Sequence, residues 1–96
     1  MAVEFKHDWL EEFYEEETTH RKIPSSIRSA LYRKIFILDA ATSDADLRVP
    51  PNNRFEHLED NLKGWCSIRV NKKYRLVFKW NNGVAEDTYL DDHSYR

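Results

Sequence analysis

Towards the end of this 96-residue chain, Arg69, Arg75, the Lys72-Lys73 pair and Asp91-Asp92-His93 gather polar groups of three kinds in one short stretch. Together they meet the needs of RNA cleavage by its own 2′-hydroxyl. A base takes the 2′ proton, an acid protonates the leaving 5′ oxygen, and fixed cations offset the charge building on phosphorus. Arginines on a strand suit that last role better than loop lysines, because the planar guanidinium binds two phosphate oxygens at once. His93, with an ordinary pKa of about 6.5, is the nearby group that exchanges protons at neutral pH. An aspartate beside it could orient the ring or act as base. Each residue also has a plainer reading: a strand arginine is often a solvated charge, and Asp91, Asp92 and His93 could be a polar tail. Residue types alone define a basic sheet face suited to RNA, with a solvated surface as the alternative.

Other chemistries lack their parts. Gly64 and Gly83 are isolated, so no phosphate-cradling loop forms. Cys66 has no base at motif spacing. The histidines His7, His20, His57 and His93 are scattered without the spacing of a zinc site. His57 is expected to pack or cap near its loop. No metal or cofactor is implied.

The elements that must position these groups follow from periodicity. Val3-Glu4-Phe5 alternates as a short strand. Asp8 and Glu11 form a capping-box pattern, and Trp9, Leu10, Phe13 and Tyr14 recur at helical spacing, predicting a helix over 8–17. Pro24, Ser25 and Ser26 open a second helix over 25–41. Its apolar stripe is Ile27, Leu31, Ile35 and Leu38, with Phe36 beside it and Arg28, Arg33 and Lys34 away from it. Residues 42–53 read as a loop, with Pro50-Pro51 forbidding helix. A short strand over 55–58 and a second loop over 59–64 follow.

From Cys66 the period changes to that of a strand. A turn at Asn71-Lys72-Lys73 sets Val70 opposite Tyr74, Ile68 opposite Leu76 and Cys66 opposite Phe78, gathering the large apolar residues on one face. A slip of one residue would destroy this sorting. Arg69 then faces Arg75, an unfavourable pairing that costs up to about 1 kcal/mol. Two arginines tolerated there suggest an anion between them. Asn81-Asn82-Gly83 predicts a hairpin. The returning strand over 84–90 alternates poorly, as an edge strand or a bulge would. The order is strand, helix, helix, short strand and a three-stranded antiparallel meander.

Length allows one domain over 1–96, burying roughly 60–65% of its unfolded surface. The core material is adequate, at 41% hydrophobic residues with three Trp, five Tyr and five Phe. No apolar run is long enough to span a membrane, the start lacks the pattern of a secretion signal, and one cysteine fits a reducing cytoplasm. The net charge of −2 and pI of about 6.1 announce no polyanionic partner. The distribution says more. Residues 1–17 carry seven acids against one base, whereas residues 63–80 carry six bases and no acid.

The stretch Gly64-Trp65-Cys66-Ser67-Ile68-Arg69-Val70-Asn71-Lys72-Lys73-Tyr74-Arg75-Leu76 resembles the HigB branch of the RelE superfamily. That branch shows glycine, an aromatic residue, Ser-Ile-Arg-Val-Asn, two variable residues, aromatic-Arg-Ile and an aromatic strand. The loop Pro50-Pro51-Asn52-Asn53-Arg54, the segment from Phe55 to Leu58 and the Asp-Tyr-His-like ending agree, so the likeness spans about residues 24–93. The resemblance implies an α+β fold of βααβββ type, with two N-terminal helices packed on a small antiparallel sheet. It implies a toxin of a type II toxin–antitoxin system that cleaves messenger RNA on the ribosome. A HigA-like helix-turn-helix antitoxin would neutralise it, and DNA would be met only through the toxin–antitoxin complex. Arg69 and Arg75 match the strand arginines of the family, with Arg75 on the scissile phosphate. His93 matches the terminal general acid or base and Asp91 the aspartate before it. Lys63, Lys72, Lys73 and Asp92 would contact RNA. Two residues depart from the pattern. Asp92 replaces a tyrosine and Glu59 a lysine, for which Lys63 or Lys72 would compensate. These departures keep open a degenerate toxin that only binds its antitoxin, and a pI below that of the basic members argues against tight ribosome affinity. The other alternative is a ParE-like gyrase poison on the same scaffold, against which the strand arginines and His93 argue.

Overall fold

The computed structural model describes residues 2–92. Strand β1 (Val3–Phe5) leads into helix α1 (Asp8–Glu16), then α2 (Arg28–Ala40) and the short α3 (Asp44–Leu47). Strands β2 (Glu56–His57), β3 (Cys66–Arg69), β4 (Arg75–Asn81) and β5 (Val84–Asp91) complete the chain. The sheet runs β1-β5-β4-β3-β2. The α+β class and the order of elements are those expected. The sheet is mixed, however, because β1 lies parallel to β5 while every other pairing is antiparallel.

Helix α1 buries Leu10 and Phe13 and leaves Glu11, Glu12, Glu15 and Glu16 in water. The cap lies one residue earlier than expected: His7, in extended conformation, is the N-cap and Asp8 is already helical. No side chain caps the helix, so the capping box does not form. The backbone of Glu17 turns left-handed, with φ 56°, and stops the helix before its acids oppose the dipole further. In the second helix the first turn, Ser25–Ile27, is 3-10. Ile27, Leu31, Ile35 and Leu38 are all at most 2% exposed, as the stripe requires. Two of its neighbours are placed differently from the sequence reading. Phe36 projects outward at 57% exposure and Lys34 is buried at 7%. The segment read as a loop holds α3 and a 3-10 turn, Pro51–Asn53, which seats Leu47 and Asn53 in the interior. Pro51 is tolerated in that turn because the first N–H of a helix has no internal partner.

The β3–β4 register is the predicted one, pairing Cys66 with Phe78, Ile68 with Leu76 and Arg69 with Arg75. Asn71 fastens the turn by accepting hydrogen bonds from the N–H groups of Lys73 (2.9 Å) and Tyr74 (2.7 Å) at its side-chain oxygen. Asn82 and Gly83, both at positive φ, close the next hairpin. A bulge shifts the β4–β5 ladder between Val77 and Lys79, where Asp87 has φ 51°. β5 is an interior strand of the sheet, which removes the edge-strand reading and leaves the bulge as the reason for its poor alternation.

Asp39 on α2 fastens the N-terminal elements. It accepts from the N–H of Ala2 and from the Tyr14 hydroxyl, each at 3.0 Å. Burial and the Asp39 carboxylate push the Tyr14 hydroxyl above its ordinary range, so it stays a donor. Tyr14→Phe is expected to cost about 1 kcal/mol, read as a fall in Tm of roughly 4–8 °C. Among the described residues no helix is long and apolar enough to cross a membrane.

Candidate nucleic-acid interface

The helices cover one face of the sheet, and the other face carries the row Arg69, Arg75, Asp91. Arg75 is the direct partner of Arg69 on β3 and of Asp91 on β5. Residues so opposed share a face, with Cβ atoms about 4.5–5.5 Å apart. The bulge makes this possible. Residues 84–86 pair in one phase and residues 89–91 in the other, and the change turns Tyr89 and Asp91 towards the arginines.

Arg75 is 5% exposed, which is unusual for a charged strand residue. Its Nε donates to Ser67 Oγ at 2.9 Å and its Nη2 to the Arg54 carbonyl at 2.7 Å, while Glu56 Oε1 lies 3.9 Å from Nη2. These acceptors offset the desolvation of the charge. They also fix the guanidinium plane. Arg69 is less buried; its Nε donates to the Asn71 carbonyl at 3.0 Å. The two guanidinium groups therefore differ, one locked beneath the surface and one at it.

The remaining predicted residues fall in three places. Lys72 and Lys73 lie in the β3–β4 turn, with Lys73 Nζ 5.6 Å from the Tyr74 ring centre. Lys63 sits in the loop before β3, beside His57 and Glu59, at the opposite end of that strand from Lys72. Asp92 is exposed just after β5, and with Asp91 it lines a cavity of about 370 Å³ that also holds His7, Trp9 and Arg21. His93 lies outside the described residues.

Several neighbours escaped the sequence reading. Tyr89 shares a row with Ser67 and Val77, and the Trp65 ring meets it edge-on at 5.7 Å. Lys6 lies over Tyr89 at 4.9 Å and Lys79 over Trp65 at 4.8 Å, giving the arginine face an aromatic pair flanked by cations. This ring stands on the site's own face even though Asp92 is not aromatic. Trp9 stacks on both His7 and His20, at 5.4 and 4.8 Å. His57 packs edge-on to Phe55 and brings Nδ1 to 3.4 Å from Cys66 Sγ. That is not a nucleophile and its base. Cys66 is 3% exposed, and burial pushes its thiol up, away from thiolate.

Helices on one side of a five-stranded sheet and a row of arginines on the other define an α+β fold of the RelE-like class. Residues 3–93 match the family model for HigB-like toxins, described as the RelE-like toxin of the type II toxin–antitoxin system HigB. The chain is 68% identical over 95 residues to Toxin HigB-1 of Vibrio cholerae serotype O1 (strain ATCC 39315 / El Tor Inaba N16961), covering 99% of this chain and all of that protein. It is 45% identical over 91 residues to an uncharacterized protein of Haemophilus influenzae (strain ATCC 51907 / DSM 11121 / KW20 / Rd), covering 95% of this chain and 90% of that one. The chain belongs to the HigB family of RelE-like toxins, and an antitoxin is its partner.

Proposed function

We propose that this toxin is an endoribonuclease that cuts messenger RNA on the ribosome, in the cytoplasm and without a cofactor. The observation that carries the reading is the Arg69–Arg75–Asp91 row, held on adjacent strands two residues before His93. Arg69 presents its outer nitrogens to the scissile phosphate. Arg75, held by Ser67 and the Arg54 carbonyl, offers its remaining N–H groups and its field from beneath. Such preorganised donors act where charge develops and need no reorientation during reaction. Asp91 and His93 divide the proton transfers: the 2′ oxygen loses its proton as it bonds to phosphorus, and the 5′ oxygen gains one as it leaves. The products are a 2′,3′-cyclic phosphate and a 5′-hydroxyl. Tyr89 and Trp65 offer stacking surfaces to neighbouring bases. Lys72 and Lys73 steer the strand at one end of β3, with Asp92 beside the tail, and Lys63 contacts RNA only at the other end. The antitoxin is a HigA-like helix-turn-helix protein, through which DNA is met.

Induction of the toxin without its antitoxin, followed by primer extension, tests this. Cuts are expected inside translated regions, falling about 10²–10⁴-fold in rate with His93→Gln. Arg69→Ala should also lose cleavage. Variants that both stay fully toxic would remove these roles, and intact transcripts with a DNA-damage response would indicate a gyrase poison.

A further inference from the structure

A cavity of about 540 Å³ opens between α2, the Pro51–Asn53 turn and the β3–β4 turn, and every charged residue lining it is a cation: Arg33, Lys34, Arg54, Arg69 and Lys72. Like charges crowded round one hollow repel, so the arrangement is unfavourable unless an anion enters. Lys34 makes the hollow a built site. It is 7% exposed, and its Nζ donates to Asn53 Oδ1 at 2.6 Å and Asn52 Oδ1 at 3.3 Å. Both acceptors are neutral amides, and no carboxylate among the described residues pairs with it. An ammonium has three N–H groups, so one donor is left over. Asn53 is itself fixed, donating Nδ2 to the Leu47 and Val49 carbonyls at 3.1 Å each. A positive charge is thus buried and aimed with no counter-charge among the described residues. Such a charge carries a desolvation penalty that a ligand anion would relieve. Burial, helped by Arg33, lowers the Lys34 pKa, as expected of an ammonium in that state.

We infer that this cavity is a second phosphate subsite, taking an RNA phosphodiester next to the one at Arg69 and Arg75. The two positions share residues. Arg69 belongs to both, and Arg54 lines the cavity with its side chain while its carbonyl holds Arg75. A strand lying across the arginine row would therefore place a neighbouring phosphate over the hollow. The phosphodiester could belong to the messenger strand or to ribosomal RNA; the chemistry is the same. The inference rests on the nuclease reading above, and its test is separable from that reading.

The probe is a 2′-O-methyl RNA dodecamer, which carries phosphodiesters but no attacking hydroxyl. Its anisotropy is followed with the full toxin over a salt series, in parallel with co-sedimentation on messenger-free ribosomes. The variants are Lys34→Met and Arg33→Gln. Arg33 is exposed and its side chain donates to Ser29, so its loss spares the fold should Lys34→Met unfold. Each variant is expected to lower affinity about 5–10-fold at roughly 50 mM salt and to reduce the log K against log salt slope by about 0.7. Loss on the dodecamer assigns the phosphate to the messenger strand, and loss on ribosomes alone assigns it to ribosomal RNA. Unchanged affinity and slope in both arms would overturn the subsite, as would variants altered only in neutralisation by the antitoxin, which would make the cavity a peptide site. A toxin that binds the dodecamer through Arg33 yet cuts nothing refutes the nuclease reading alone. One that cuts normally with an indifferent Arg33 refutes the subsite alone.

Discussion

With the proposed nuclease activity, Arg75→Ala toxin is expected to cut messenger RNA about 10²–10³-fold more slowly than the parent, the usual cost of removing one preorganised donor from a developing oxyanion. Its stability should fall as well. The guanidinium is buried at 5% exposure, and its removal strands the Ser67 hydroxyl and the Arg54 carbonyl, each worth about 1–3 kcal/mol when left unpaired. The two effects separate on temperature. Cleavage measured well below the variant's Tm reports the catalytic loss, and a melt reports the structural one. Arg75→Lys restores the charge but cannot donate from one planar fork to both Ser67 and Arg54. It should recover stability in part and cleavage less. Cleavage by the alanine variant that tracks its folded fraction would confine Arg75 to holding β2 and its preceding turn against the sheet.

A second large effect, on stability alone, is expected at a residue with no claim to chemistry. Asn53 is fully buried and its side chain makes three hydrogen bonds, donating to two backbone carbonyls and accepting from the Lys34 ammonium. Asn53→Ala should cost about 3–4 kcal/mol and lower Tm by more than roughly 10 °C. The pH dependence identifies the charge involved. In the folded toxin Lys34 has a pKa below its ordinary 10.5, so between the two values the unfolded chain binds more protons. Stability therefore rises with pH across that window, because the penalty of burying the ammonium disappears as the group loses its proton. The raised Tyr14 and Cys66 groups lower stability over the same alkaline range, so the Lys34 contribution is read as a difference: in urea titrations at stepped alkaline pH the parent should gain stability relative to Lys34→Met, and Asn53→Ala should gain over a wider range. Equal slopes in parent and Lys34→Met would mean that the ammonium stays hydrated.

Much of this site is legible in the sequence where alternation is regular. The β3–β4 register follows from the apolar sorting of Cys66, Ile68, Leu76 and Phe78, and with it the opposition of Arg69 and Arg75. Both turns follow from Asn71 and from Asn82-Gly83, which carry their conformations locally. The reading fails where geometry is set at a distance. Lys34 looks like a surface lysine on its helix, and only a turn 18 and 19 residues away supplies the asparagines that draw it in. Arg75 is held by a backbone carbonyl, which no side-chain pattern reveals. In β5 the extra residue of the bulge inverts the alternation between Glu86 and Tyr89, so a strict two-residue period sends Tyr89 and Asp91 to the wrong side. The His57–Cys66 contact depends on the two-residue strand β2, too brief to show a period.

The two outermost strands, β1 and β2, are only three and two residues long. Strangers that recruit themselves by backbone laddering need a longer margin than either provides. Copies of this toxin released together have little to zip onto in one another. A polypeptide that adds to either margin finds at most three residues of backbone to pair with.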